Sequence, residues 1–156
     1  GAARSYNNMG YILRRSGDNT KALDAYSEVE SILSEDKSKS LIPAQIVLAR
    51  ALLDLGHQDR ARDHALSAYE QSENSDDTIL HARARAVLGR YYAKTGDSDL
   101  ALHHYTDALE TMGEAGDPLA LVEVSILLGE VLQDSGRIEE ALERYREALV
   151  LSLIHI

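Results

Sequence analysis

The sequence lacks several residue types, and each absence narrows the fold that it can adopt. It contains no cysteine, which excludes disulfides and thiolate chemistry. Phe and Trp are absent, only two prolines occur, and Ala, Leu and Glu are abundant; this composition favours helices over strands. No apolar run approaches the ~20 residues that a membrane-spanning helix needs. We therefore expect an all-α protein that does not insert into a membrane.

Cations are also scarce relative to carboxylates. The 156 residues include 16 Lys and Arg against 26 Asp and Glu, a formal net charge of −10. A general nucleic-acid binder needs an excess of cations to displace the counterions of the phosphates, so we expect this segment to bind no nucleic acid. With 44% hydrophobic and 27% charged residues, the composition is that of a folded domain and not of a disordered chain.

What the sequence does contain is an internal repeat of about 40 residues. Its clearest marks are four glycines in equivalent contexts, 39, 40 and 40 residues apart: Gly17, Gly56, Gly96 and Gly136. Five residues after each glycine stands an alanine: Ala22, Ala61, Ala101 and Ala141. Seven residues before it stands a small residue: Gly10, Ala49, Gly89 and Gly129. Nine residues after it stand Tyr26, Ala65, Tyr105 and Tyr145. Such a register predicts four copies of one structural unit.

Each copy has the pattern of two helices joined by a short turn. Apolar residues recur at the i, i+3, i+4 and i+7 spacing of an amphipathic helix. The glycine is suited to the left-handed residue that ends the first helix, and the small residues allow the second helix to approach closely. Asp117-Pro118 is typical of a cap followed by the first helical residue. Because one such hairpin cannot bury its apolar faces alone, the hairpins are expected to stack.

These residues resemble the tetratricopeptide repeat (TPR) family. Met9-Gly10, Leu88-Gly89 and Leu128-Gly129 match its Leu-Gly step, and Gly-x4-Ala…Tyr-x2-Ala matches its second helix. The resemblance implies a right-handed α-solenoid of four helix-turn-helix repeats in one domain, residues 1–150, with repeats near 3–36, 42–75, 82–115 and 122–150. The period exceeds the usual ~34 residues, and the closing Pro is missing. In this respect the chain is similar to the TPR arrays of bacterial regulators.

The last six residues, 151–156, have a separate interpretation. They are what the codons CTG TCT CTT ATA CAC ATC encode, a string that resembles the transposon-end adapter used to prepare sequencing libraries. We therefore expect native sequence to stop near Val150 and 151–156 to be a non-native tail, in which His155 has no function. The alternative is an ordinary apolar helix end. An exposed apolar end would favour self-association, because terminal repeats normally carry a polar cap.

No pattern in the sequence predicts catalysis, a metal or a cofactor. No two of the six histidines are four residues apart, the spacing of a helical zinc pair. The segment 113–116 is expected in a loop, but it lacks the Lys and Ser or Thr of a phosphate-binding loop. The sequence therefore indicates a protein that is not an enzyme.

The resemblance implies a concave groove, lined by the first helix of each repeat, that binds a protein or peptide. Arginines near the groove positions would suit an acidic segment or a terminal carboxylate, because guanidinium pairs with carboxylates in a planar fork. The alternative is that these charges pair within the protein. A ladder of ion pairs between repeats would then be formed by Arg15, Asp54, Lys94 and Asp134. Arg50 would pair with Asp54 one turn further on, and Arg90 with Glu130. The candidate groove residues are Asn7, Tyr11, Arg14, Ile46, Arg50, Arg83, Arg90, Lys94, Ile126 and Glu130.

Apolar residues at several groove positions refine this expectation. The family's clamp for a terminal carboxylate uses Lys and Asn, but Ile46, Ala86 and Ile126 occupy the places equivalent to Asn7. A clamp of that type is therefore not expected. An apolar floor instead favours a partner helix or a peptide with an apolar face.

We thus expect a cytoplasmic protein–protein interaction module, the sensor or assembly segment of a larger bacterial regulator. Two alternatives stay open: a stand-alone scaffold, and a fragment of an enzyme whose catalytic domain lies outside this chain.

Overall fold

The computed structural model describes residues 1–115 and 117–154, apart from the side chains of Lys39, Glu114 and Ala115. These residues form α-helices and one short 3-10 helix, with no strand among them. The chain divides into two compact units, unit 1 over Gly1–Ser72 and unit 2 over Glu73–Ile156. The all-α class predicted from the sequence is confirmed.

The helices pair into four helix-turn-helix hairpins, two in each unit. We call the leading helix of each hairpin its first helix and the other its second helix. Unit 1 contains α1 (Ala2–Arg15), α2 (Asn19–Glu35), the 3-10 helix (Lys39–Leu41), α3 (Ile42–Asp54) and α4, which ends one residue beyond it (Gln58–Glu73). Unit 2 contains α5 (Thr78–Thr95), α6 (Ser98–Ala115), α7 (Pro118–Asp134) and α8 (Ile138–Ile154).

The turn inside each hairpin is closed by its glycine, as predicted. All four turn glycines have a positive φ, between 76° and 89°. At Gly96, the backbone φ is 89°, a value that residues with a side chain rarely adopt. The amide of the next residue, Asp97, then donates to the carbonyl of Tyr92 at 2.9 Å, and the Asp97 carboxylate accepts from the amide of Leu100. The turn thus satisfies carbonyls that end one helix and amides that begin the next.

The two helices of a hairpin meet where a glycine faces a tyrosine ring. A Cβ atom on Gly10 would lie 2.5 Å from the ring of Tyr26, and one on Gly89 would lie 2.8 Å from the ring of Tyr105. Both rings are almost fully buried, so neither can easily move aside. The small residues predicted to permit close approach therefore do so by making room for an aromatic ring.

In the second hairpin, neither the glycine nor the tyrosine is present at these positions. It has alanine at both positions, Ala49 and Ala65, and both are completely buried. With no tyrosine to accommodate, the first helix needs no glycine there.

One element differs from the sequence-based expectation. Gly113, expected in a loop, lies near the end of α6, while Gly116 lies outside the described residues. Helix α6 runs beyond the predicted turn because an isolated glycine is tolerated in a helix at a cost of about 1 kcal/mol.

Candidate binding surfaces on the first helices

Charge is distributed unequally between first and second helices. Each second helix carries four Asp or Glu residues. The first helices of unit 2 differ from each other as well: α5 has four cations and no carboxylate, whereas α7 has three carboxylates and no cation. The cations of α5 are Arg83, Arg85, Arg90 and Lys94. The chain as a whole is negatively charged, but the charged residues of helix α5 are all cations.

In unit 1, the candidate residues of α1 are largely engaged in contacts within the protein. The Asn7 side chain is buried, and its Nδ2 donates to the carbonyl of Ala44 in α3 at 2.9 Å. Arg14 Nη2 lies 3.7 Å from Asp54 Oδ2. These two contacts fasten α1 to α3, so both side chains have structural partners.

Tyr11 also lies on α1, but its side chain remains exposed. Its hydroxyl accepts from Nη1 of Arg15 at 3.1 Å, and the hydrogen bond and charge of Arg15 lower the pKa of the phenol. In the alternative ladder of ion pairs, Arg15 is the partner of Asp54; in the structure Arg14 lies beside Asp54, and Arg15 donates to Tyr11. One residue of difference turns a side chain by about 100° around the helix, which is enough to exchange the two roles.

The α3 candidates divide between interior and surface. Ile46 is buried, as is Leu53, so both contribute to the interior of the protein. Arg50 is exposed. In unit 1 the candidates that present surface are therefore Tyr11 and Arg50.

In unit 2, Arg83 forms an ion pair at the start of α7. Its Nη2 lies 2.7 Å from Oδ2 of Asp117. The other oxygen of Asp117 accepts from the amide of Ala120 and caps α7. Arg83 therefore holds a helix end and also completes a charge-assisted hydrogen bond.

The remaining unit 2 candidates meet at a cleft between α5 and α7, of about 210 Å³. Arg90 and Lys94 form its cationic wall on α5, and Glu130 and Asp134 form its anionic wall on α7. Ile126 is 40% exposed on α7 but does not line this cleft. The other lining residues are Ala93, Ser98, Tyr105, Leu127 and Val131.

The charges of this cleft are held apart. Across the residues that the structure describes, no side-chain hydrogen bond or ion pair involves Lys94, Glu130 or Asp134. The Arg90–Glu130 pair expected from the sequence is thus not formed. Burial raises the pKa of Tyr105 beneath the cleft, and Glu130 adds to that rise while Arg90 opposes it. The phenol therefore stays neutral and gives the cleft an aromatic base.

Asp134 was assigned by the sequence only to an ion-pair ladder, and Tyr105 only to the repeat pattern. The register contains a usable signal for the cleft: Arg90 and Glu130 occupy one repeat position, and Lys94 and Asp134 another, with opposite signs in both cases.

Neither a metal-ligand cluster nor a membrane-spanning helix is found among the described residues. Within them, no group of three or more His, Asp or Glu side chains is arranged to hold a metal ion. Searching the same part of the chain finds no helix with the length and hydropathy needed to cross a bilayer.

Comparison with known proteins identifies the family. The tetratricopeptide repeat model matches residues 1–74 and 88–152. The chain belongs to the tetratricopeptide repeat family, and the TPR-like α-solenoid class predicted from the sequence is confirmed. No protein of curated function matches the sequence.

Several solved structures share the fold. BtubC (BKLC) from P. vanneervenii is 23% identical, with 98% of this chain and 64% of that chain covered and a TM-score of 0.77. A Rap protein complexed with Competence and Sporulation Factor is 17% identical, with 97% and 43% covered and a TM-score of 0.81. A signal transduction ATPase (STAND) with a TPR sensor, from Pyrococcus horikoshii, is 22% identical, with 98% and 23% covered and a TM-score of 0.77. This chain spans less than two thirds of each.

Proposed function

We propose that this chain is a non-catalytic, cytoplasmic protein–protein interaction module that binds a peptide or partner helix on its first helices. The cleft of unit 2 carries the proposal, because its charged walls make no ion pair with each other and its base is apolar and aromatic. Pockets with an apolar base and a few placed polar groups are typical of binding sites.

We further propose that the module serves as the sensor or assembly segment of a larger bacterial regulator. Two of the similar structures support this: one is a Rap protein complexed with Competence and Sporulation Factor, and one is a signal transduction ATPase with a tetratricopeptide repeat sensor. Flanking coding sequence would test it. A DNA-binding or nucleotide-binding domain next to the repeats supports a regulator, and flanks without one favour a scaffold.

The partner is expected to carry acidic side chains. These would meet Arg50 in unit 1 and the cationic wall in unit 2, where carboxylates gain charge-assisted hydrogen bonds. Titrating an acidic peptide and its scrambled form against the protein and against Arg50→Glu plus Arg90→Glu tests this. Weaker binding of the acidic peptide by the variant is expected.

The matched control is Lys37→Glu plus Arg146→Glu, which changes the net charge by the same amount at two exposed positions outside the first helices. It is expected to bind like the unmodified protein. If the control loses as much binding as Arg50→Glu plus Arg90→Glu, net charge is responsible and the first-helix surface is not the site.

A further inference from the structure

The two walls of the unit 2 cleft are in register. Arg90 and Glu130 lie at one repeat position, and Lys94 and Asp134 lie at another, one helical turn further along. Each level of the cleft therefore has a cation on the α5 side and a carboxylate on the α7 side. A ligand that enters the cleft meets both signs of charge at once.

Elsewhere in unit 2, side chains of opposite charge that face each other form ion pairs. Arg83 pairs with Asp117 at 2.7 Å, and Arg85 pairs with Asp107. In the described part of the chain, Lys94, Glu130 and Asp134 form no such pair, although they line the same cleft. Three charges are thus left facing an open volume of about 210 Å³.

A purely acidic ligand satisfies only half of this arrangement. It would approach Lys94 favourably, but it would bring carboxylates against Glu130 and Asp134, and juxtaposed like charges disfavour a complex. A purely basic ligand has the converse problem with Arg90 and Lys94. A segment that carries one charge of each sign meets neither penalty.

We propose that the unit 2 cleft recognises a dipolar peptide segment, which places an acidic side chain on the Arg90–Lys94 wall and a basic side chain on the Glu130–Asp134 wall. Ala93, Leu127 and Val131 then contact the aliphatic parts of the segment. This inference rests on the proposed function and adds the charge pattern of the partner.

Charge-specific peptide series test the inference. Short fluorescent peptides of Ala, Leu, Ser and Gln carry two fixed central positions, which are Glu and Lys in either order, Glu and Glu, or Lys and Lys. Each series is titrated against the protein by fluorescence anisotropy. The better of the two dipolar series is expected to bind about tenfold more tightly than either like-charged series, a difference of about 1.4 kcal/mol.

Two single variants convert the preference in opposite directions. Asp134→Lys places a lysine on each wall at the level of Lys94, so the doubly acidic series should bind more tightly than the dipolar one. Lys94→Glu makes that level anionic, so the doubly basic series should gain. Both residues are exposed, and a change in rank order of ligands cannot be produced by loss of folding. Circular dichroism checks that both variants keep the helical fold.

The outcomes separate the two proposals. Peptide binding with the doubly acidic series ranked first, or rank orders unchanged in both variants, overturns the dipolar inference and leaves the interaction module standing. If no series binds to either unit, the proposed function falls as well. Rank orders that change as stated support both.

Discussion

Units 1 and 2 contain the same repeat positions and use them differently. In unit 1, Asn7 and Arg14 are joined to α3 by a hydrogen bond and an ion pair. In unit 2, Lys94 and Glu130 line a cleft and, among the residues described there, make no side-chain hydrogen bond or ion pair. Even a single repeat position differs between the units: Asp54 pairs with Arg14 in unit 1, whereas Asp134 makes no ion pair among the described residues of unit 2.

The difference shows that a repeat position does not determine a role by itself. Both units place opposite charges on neighbouring first helices. In unit 1, Arg14 lies within ion-pair distance of Asp54. In unit 2, Lys94 and Asp134 line one cleft and make no ion pair among the described residues, so the distance between the side chains, and not the supply of charges, separates the two cases.

The largest effect is expected where the two units agree. Gly10→Ala in unit 1 and Gly89→Ala in unit 2 would each place a Cβ within 2.8 Å of a buried tyrosine ring, and such overpacking costs about 1–3 kcal/mol. Chemical denaturation measures it. Gly113→Ala is the matched control, because a Cβ there meets nothing within 4 Å and alanine is the better helix former. Loss of stability in the control equal to that in Gly89→Ala would contradict the packing explanation.

A smaller effect is expected from the contact found only in unit 1. Asn7→Ala removes the hydrogen bond to Ala44, and we expect a loss of about 0.5–1.5 kcal/mol in the free energy of unfolding. Asn8→Ala is the control, since Asn8 is the exposed neighbour on the same helix. Equal losses in the two variants would mean that the hydrogen bond does not stabilise the pair α1 and α3.

Acidification should distinguish the units. In unit 2, burial and then the charge of Arg85 hold the pKa of His81 and His104 below the ordinary 6.5. Because the folded state then binds fewer protons than the unfolded state, their stabilisation is present above pH 6.5 and is lost as pH falls below it.

Unit 1 should respond at lower pH. Burial raises the pKa of Glu30, but hydrogen bonds from Arg60 and His64 outweigh it and hold the pKa below the ordinary 4.5. Hydrogen exchange between neutral pH and pH ~5 should therefore show loss of protection in α5 and α6 before α2 and α4. His81→Gln plus His104→Gln should abolish that difference, and earlier loss in unit 1 would refute it.

The smallest effect on stability is expected at the cleft. Lys94→Ala and Asp134→Ala should each change the free energy of unfolding by less than about 0.5 kcal/mol, because surface substitutions that break no contact are nearly neutral. Thermal unfolding compared with Arg83→Ala, which breaks the pair with Asp117, checks this. A larger loss at Lys94 than at Arg83 would show that the cleft charges support the fold.

Much of the fold could be predicted from local rules, and less of the candidate surface. The turn glycines and the small residues before them were identifiable because a positive φ and a close helix approach each restrict the residue type at one position. Ile46 was predicted to line the bottom of a groove, but its side chain is buried. Asn7 was predicted to face a ligand, but its side chain donates a hydrogen bond to the carbonyl of Ala44. Both depend on how one helix sits against the next.

The sequence by itself determined the family, the all-α class, the number of hairpins and the residue that ends each first helix. These follow from periodicity and backbone sterics, which act within a few residues or repeat at a fixed spacing. Only the tertiary structure decided that Arg14 and not Arg15 reaches Asp54, and that Lys94, Glu130 and Asp134 face an open cleft. A step of one residue turns a side chain by about 100°, so pairing between helices depends on rotations and distances that no single helix specifies.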